Sequence, residues 1–197
     1  MTCLSDKNSW NEICAEIQAR SLKSTPLEVE NAKILRIKIL KCLTLASNEK
    51  VLLNKLDEIH KLLKLRPSSE IDKQGYSEIM GGDKNFKRRQ DIPHFKLHNG
   101  CWFDFAITID ETSKPAQIIG FDFEIRFPKR EEDVAISFLR IDLNLSEHNN
   151  EMRNLRFHLH PSNDDIMIHS PPMSPLEILH MFLYGIEIPD KSRATRS

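Results

Sequence analysis

Polar and apolar residues alternate strictly in four segments of the second half of this chain, and this pattern constrains its fold more than any other feature. In residues 156–160 the alternation places Arg156, His158 and His160 on one face of a strand. The other segments span residues 101–109, 121–127 and 139–145. Together they predict an antiparallel sheet with an apolar face and a second face that carries His, Arg, Asp, Glu and Asn.

The chain divides by pattern into four parts. Helical periodicity over residues 8–66 predicts a helical unit. Residues 67–90 lose periodicity and predict a linker or a mobile basic loop. Residues 91–188 predict an antiparallel sheet domain of four to six curved strands closed by a C-terminal helix, and residues 189–197 predict a flexible tail. The predicted fold class is therefore α+β.

Capping sequences and turn residues locate the elements more closely. We expect four helices. Two of them span residues 10–22 and 51–63, and the other two begin at the capping sequences Thr25-Pro26-Leu27-Glu28 and Ser174-Pro175-Leu176-Glu177. Residues 98–100 (His-Asn-Gly) predict a hairpin loop. A three-residue loop with Gly100 in the left-handed region would pair Leu97 with Cys101 and keep all apolar side chains on one face.

Composition excludes several classes of protein. The 197 residues carry a formal net charge of -1, which gives no overall attraction to nucleic acid or to anionic membranes. Apolar runs are shorter than the roughly 18 residues of a membrane helix, and the N-terminus has no signal-peptide pattern. The four cysteines lack zinc-ribbon or disulfide spacing. These features predict a cytoplasmic protein that does not associate with membranes.

A metal site is one interpretation of the polar face. Two histidines separated by one residue on a strand point the same way, and the neighbouring strand can add a carboxylate. This interpretation predicts a site formed by His158, His160 and Asp142, completed by Asp164 or Asp165 from the following turn.

Metal-independent cleavage of RNA is the second interpretation, and it is the function that we predict from the sequence. One of His158 and His160 would accept a proton from a 2′-hydroxyl while the other donates one to the leaving oxygen. Arg140 and Arg156 would stabilise charge on the phosphoryl oxygens, and Asp142 would orient an imidazole. No cofactor is expected in this mechanism.

An RNA-binding surface would complete this prediction. Trp102 lies on the same face and could stack a base. The RNA backbone would be contacted by a short basic run, which consists of Lys84, Lys87, Arg88 and Arg89.

A non-enzymatic role is the alternative to catalysis. Cross-strand ion pairs stabilise a solvated sheet face, and a buried ion-pair network under the helical unit would account for the same residues. In that case the helical unit would bind a partner protein and the polar face would be structural.

The C-terminal third resembles an uncharacterised bacterial family and, more distantly, the TumE-type toxins of toxin/antitoxin modules. The similarity lies in the order of four segments: residues 140–144 (Arg-Ile-Asp-Leu-Asn), 148–150, 156–161 and the helix that starts at 174–177. The resemblance implies a small cytoplasmic toxin-like or defence-associated protein that acts on RNA or translation. It also implies a protein partner that neutralises the toxin.

Overall fold

The structure is a computed structural model that describes residues 7–24, 26–69, 71, 74–128, 137–146, 148, 155–169 and 173–188. Within these ranges the chain forms four helices and nine strands, so the predicted α+β class is confirmed but the predicted strand number is too low. In chain order the elements are α1 (Lys7–Ser24), β1 (Glu28–Val29), α2 (Ala32–Asn48), α3 (Leu56–Leu62), β2 (Leu63–Pro67), β3 (Tyr76–Gly81), β4 (Phe95–Lys96), β5 (Trp102–Asp110), β6 (Ala116–Arg126), β7 (Phe138–Leu143), β8 (Phe157–Pro161), β9 (Ile168–His169) and α4 (Pro175–Tyr184).

The strands form one antiparallel sheet in the order β2-β3-β5-β6-β7-β8-β9, while β4 pairs with β5 and β1 pairs with β6. The predicted three-residue hairpin loop is confirmed. The amide of Leu97 donates to the Cys101 carbonyl at 2.8 Å, and Gly100 has φ 85°. This register puts Phe95 opposite Phe103, so both rings lie in the core.

Helices α2 and α4 cover the apolar face of the sheet. The ring of Phe182 on α4 lies edge-on to Phe103 and Phe123, at centroid distances of 5.8 and 6.2 Å. Helix α4 begins as predicted, with Ser174 as its N-cap and Glu177 completing the capping box. The C-terminal helix therefore shares the apolar face with α2, whose Leu35, Ile39 and Leu43 are also buried.

The predicted start of the second helix is wrong, because residues 28 and 29 form a strand. Backbone pairing with Ala116 and Gln117 satisfies this segment, and the Leu27 carbonyl accepts a hydrogen bond from Ile118. Helix α2 begins four residues later than the capping sequence ends, at Ala32. Asn31 is its N-cap and accepts a hydrogen bond from the amide of Ile34 at 2.9 Å.

Two further segments differ from the prediction because each contains a strand that pairs with another part of the chain. The third helix ends at Leu62, and the residues up to Pro67 form β2. The predicted linker over residues 67–90 contains β3, which pairs with β2 on one side and β5 on the other. Burial of Ile79 and Met80 stabilises β3 in the sheet. The predicted tail, residues 189–197, lies outside the described residues.

Replacing Phe182 with alanine tests the role of α4 as a cover of the sheet. We expect Phe182→Ala to lower the free energy of unfolding by about 3–5 kcal/mol, because it removes a fully buried ring between two others. Urea denaturation followed by circular dichroism measures this change. The matched variant Tyr184→Phe removes an exposed hydroxyl group on the same helix and should change stability by less than about 1 kcal/mol. A loss of stability in Phe182→Ala as small as that in Tyr184→Phe would contradict a contribution of Phe182 to the core.

Candidate functional site

The candidate site lies on the polar face, which is the side of the sheet opposite α2 and α4. Strand alternation brings polar side chains to this face, and the register of β6, β7 and β8 sets them in rows. One row consists of Asp122, Asp142 and His158. The adjacent row consists of Glu124, Arg140 and His160. Four of the five predicted catalytic residues are therefore neighbours on two adjacent strands.

Three potential metal ligands converge at the centre of this arrangement. The Nε2 atoms of His158 and His160 lie 3.0 Å apart. The Oδ2 atom of Asp142 lies 3.6 Å from the first and 3.3 Å from the second. Ligands bound to one zinc ion at its usual bond lengths are separated by about 3.0–3.4 Å. The triangle formed by these atoms thus has the size of one face of a metal coordination shell.

The three side chains are buried, and burial affects the protonation of His158. His158 and His160 are only 1% and 3% exposed, and Asp142 is buried as well. Burial lowers the pKa of His158, although the negative charge of Asp142 offsets part of this effect. His158 is therefore neutral at physiological pH, which is the form of imidazole that binds a metal ion.

The carboxylate of Asp142 belongs to a network of ion pairs that extends across the polar face. Its members are Arg88, Arg126, Arg140, Asp104, Glu124, Asp142 and Asp164. Among the described residues this network pairs three arginines with four carboxylates, of which Asp104, Glu124 and Asp142 are buried and Asp164 is exposed. Buried charges require compensation. A bound cation at Asp142 would supply it.

Within this network Arg140 positions the carboxylate of Asp142. Its Nε donates to Oδ2 at 3.0 Å, and its Nη1 donates to Asp164 at 2.7 Å. The other oxygen of Asp142, Oδ1, is buried and has no hydrogen-bond partner among the described residues. The same is true of Nδ1 of His160. Such orphaned polar atoms are rare in proteins and indicate a polar ligand or bound water nearby.

Residues 82–94, which we call the crossing loop, lie across the polar face beside this site. Arg88 makes a bidentate ion pair with Glu124, with bonds of 2.9 and 3.1 Å, and also binds Asp164 in the β8–β9 turn. Its guanidinium packs over the ring of Phe138 at 3.5 Å. The carbonyl of Asn85 accepts a hydrogen bond from Arg126. These contacts fix the crossing loop to both the sheet and the following turn.

A cleft of about 630 Å³ opens in front of the three converging side chains. Asp142, His158 and His160 line it. Its other walls are apolar at Phe86, Leu145 and Met167, and charged at Lys84, Asp122, Arg140 and Asp164. Volumes of this size are typical of pockets that bind small molecules or single units of a polymer.

Several residues predicted for the site have other positions. Arg156 does not line the cleft. Its guanidinium donates to the carbonyls of Asn144 and Ile119 and so holds the end of the sheet. Trp102 cannot stack a base, because it is only 7% exposed and lies between the guanidinium of Arg126 and the ring of His94.

The predicted RNA-binding basic run is also engaged within the protein. Arg88 belongs to the ion-pair network, and Arg89 pairs with Asp91. The ammonium of Lys84 lies 3.7 and 3.8 Å from carboxylate oxygens of Glu78 and Asp122. Lys87 is exposed. These positions do not form a continuous cationic surface within the described residues.

The sequence patterns did not identify several residues that line the cleft. Phe86 and His148 lie in loops, where no periodicity connects them to the sheet. Alternation over residues 139–145 assigned Leu145 to the apolar face, but the strand ends at Leu143 and Leu145 lines the cleft. Asp164 or Asp165 was predicted to complete a metal site. The Asp164 carboxylate pairs with Arg88 and Arg140, and Asp165 is exposed and does not line the cleft. The sequence indicated this turn because acidic residues follow the strand that carries His158 and His160 by only a few positions.

Comparison with protein-family models, with curated proteins and with solved structures returns no match for this chain. The resemblance to TumE-type toxins therefore stays a prediction. Within the described ranges, no helix has the length and apolar character needed to cross a bilayer.

The pH dependence of stability tests the charge balance of the network. Burial raises the pKa of Asp104 from 3.8 to about 6, although Arg126 opposes the shift. The folded state then holds this proton more tightly than the unfolded state, so the contribution of Asp104 to stability falls as the pH rises from about 4 to about 6. We expect the unfolding free energy of the wild type, relative to Asp104→Asn, to fall by on the order of 1 kcal/mol per pH unit in this window.

Urea denaturation at pH 4, 5, 6 and 7 measures this difference. Asp57→Asn is the control, because Asp57 is exposed and its replacement should give a nearly constant difference. A wild-type advantage over Asp104→Asn that grows with pH would contradict the prediction. It would show that Arg126 outweighs burial at this carboxyl.

Proposed function

We propose that this protein is a metal-dependent enzyme that hydrolyses RNA, with a divalent transition-metal ion held by Asp142, His158 and His160. The proposed setting is a cytoplasmic toxin-like or defence-associated protein. The observation that carries the proposal is the convergence of two imidazole Nε2 atoms and one carboxylate oxygen within 3.6 Å of one another.

The donor set supports a borderline metal ion. Two imidazoles and one carboxylate suit Zn²⁺, Fe²⁺ or Mn²⁺, and they leave coordination positions open for water and substrate. Such an ion would lower the pKa of a bound water and polarise a phosphoryl oxygen. The ion would also add positive charge beside the buried carboxylate of Asp142, whose pairing with Arg140 is shared with Asp164.

The separation of the histidines favours a shared ion over a metal-independent acid–base pair. In an in-line displacement at phosphorus, the base and the acid act on oxygens on opposite sides of the phosphorus atom. Each must contact its own oxygen, and the two oxygens lie on opposite sides of phosphorus, so the two nitrogens are farther apart than atoms in direct hydrogen-bond contact. The Nε2 atoms of His158 and His160 are 3.0 Å apart. This distance suits two ligands of one ion.

Neighbouring residues would support the centre without binding the ion. Arg140 holds the Asp142 carboxylate through its Nε, and this orients the ligand oxygen towards the histidines. Partners of this kind typically change metal affinity by about 10- to 100-fold when they are removed. Lys84 lines the same cleft, where its ammonium lies near the carboxylates of Glu78 and Asp122.

RNA as the substrate class rests on two supports. The cleft combines a candidate metal centre with the cations of Lys84 and Arg140, which suits phosphoryl chemistry. The order of the strand, histidine and helix segments in the C-terminal third resembles TumE-type toxins.

Metal binding tests the centre directly. We expect the full chain, after removal of adventitious metal, to bind one equivalent of Zn²⁺ or Mn²⁺ by isothermal titration calorimetry. Asp142→Asn and His158→Ala should each lower the affinity by more than the roughly 10- to 100-fold expected for Arg140→Met, because they remove a ligand rather than its supporting residue. His180→Ala is the matched control, since this exposed histidine lies on α4 and should leave binding unchanged. Unaltered binding in both ligand variants would overturn the assignment.

A second candidate function, binding of a partner protein by the helical unit, is favoured by its exposed apolar side chains. Leu45, Leu53 and Leu56 lie between the end of α2 and the start of α3, and each is about half exposed. Exposed apolar residues on a stable helical unit are typical of interaction surfaces. A neutralising partner of the proposed toxin could bind here as well.

Expression in bacteria separates the two candidates. If the protein is an RNA-cleaving toxin, the wild type should slow growth and deplete RNA, while the His158→Ala/His160→Ala variant should do neither. The Leu45→Glu/Leu53→Glu variant should stay toxic, because it leaves the site intact. Toxicity that survives the histidine changes and is lost with the leucine changes would favour the interaction candidate. Circular dichroism of each purified variant establishes that it folds.

A further inference from the structure

The shape of the cleft bears on which part of an RNA molecule can reach the candidate metal centre. At the end of β6 that carries Glu124 and Arg126, the crossing loop covers the polar face. Arg88 binds Glu124 and Asp164 together, and the Asn85 carbonyl binds Arg126. A strand that passed straight through the site in this direction would have to displace these ion pairs.

The distribution of charge also argues against a long bound segment. An enzyme that binds the interior of a strand uses a row of cations that follows several phosphates. Within the described residues, Arg88 and Arg89 pair with carboxylates of the protein, and Lys84 lies near two more. The cleft itself, at about 630 Å³, has room for one drug-sized unit.

One exposed aromatic ring stands at the mouth of the cleft. Phe86 is 64% exposed, lines the cleft and belongs to the crossing loop that Arg88 fixes in place. Leu145 and Met167 continue the apolar wall. An exposed ring on a fixed loop is suited to stacking against a nucleobase. The buried Trp102 lacks this accessibility.

We infer that the cleft accepts the terminal nucleotide of a single-stranded RNA, with its base on Phe86 and its phosphodiester bond at Asp142, His158 and His160. This inference rests on the proposed function and deepens it. In the reaction, water adds to the phosphorus and the bond to the adjoining nucleotide's ribose oxygen breaks. That oxygen takes up a proton, so one nucleotide is released for each water consumed. The crossing loop closes the far side of the site and makes a chain end necessary.

A covalently closed circle of RNA tests the requirement for a chain end. The full chain, loaded with Zn²⁺ and in a parallel sample with Mn²⁺, is incubated with an unstructured linear oligoribonucleotide and with the circle of the same sequence. We expect the linear RNA to be shortened from one end with release of mononucleotides, and the circle to stay intact. Cleavage of the circle at a rate similar to that of the linear RNA would overturn the inference and leave the proposed function standing. Cleavage of neither RNA would overturn both.

Variants of the aromatic ring test the base contact. Phe86→Ala should raise KM for the linear RNA by about 10-fold, as expected for the loss of one stacked base, and Phe86→Tyr should restore it. Leu65→Ala is the matched control, because it removes an exposed apolar side chain from β2 at the edge of the sheet. An unchanged KM in Phe86→Ala would show that Phe86 does not contact the bound base. Metal binding measured on the same variants shows whether the centre itself is intact.

Discussion

The burial of Asp142 next to two histidines is the constraint on which the polar face depends. A carboxylate removed from water costs several kcal/mol unless charges or donors compensate it. Arg140 compensates part of this cost, but its guanidinium is shared with Asp164 and lies near Glu124 as well. The nitrogens of His158 and His160 then approach the same oxygen from the other side. Under the proposed function a divalent ion at this point would satisfy all three side chains, whereas the histidines alone can add only one shared proton between their facing nitrogens.

The hydrophobic core determines this geometry, because strand register connects the two faces of the sheet. Ile141 and Leu159 face the core from β7 and β8, and they are the neighbours of Asp142 and His158 in their strands. A shift of one residue between these strands would move every side chain of one strand to the opposite face. Burial of the apolar side chains opposes such a shift. The packing of α4 against the far side of the sheet therefore contributes to the position of atoms that it never contacts.

Local alternation predicted what depends on local geometry. It identified the two faces of the sheet, the side-chain set of Asp142, His158 and His160, and the hairpin register at Gly100. It did not predict elements that exist only because another strand is available to pair with, such as β1 beside β6 and β3 between β2 and β5. It also could not show which residues of the polar face stay accessible. Trp102 shares a face with the site, yet the ring of His94 and the guanidinium of Arg126 cover it.

The crossing loop shows why a run of basic residues is a weak indicator of nucleic-acid binding. Arg88 would serve equally well as a phosphate ligand or as an internal counter-ion, and the choice depends on Glu124 and Asp164, which lie 36 and 76 residues away in the chain. Because these carboxylates pair with the arginines, the arginines are not available to displace counterions from the phosphates of RNA. Under the proposed function, affinity would then come mainly from the metal ion and the ring of Phe86, because Lys84 also lies near two carboxylates. Binding of this kind would depend on the fit of one nucleotide and only weakly on ionic strength, because few cations would contact phosphates.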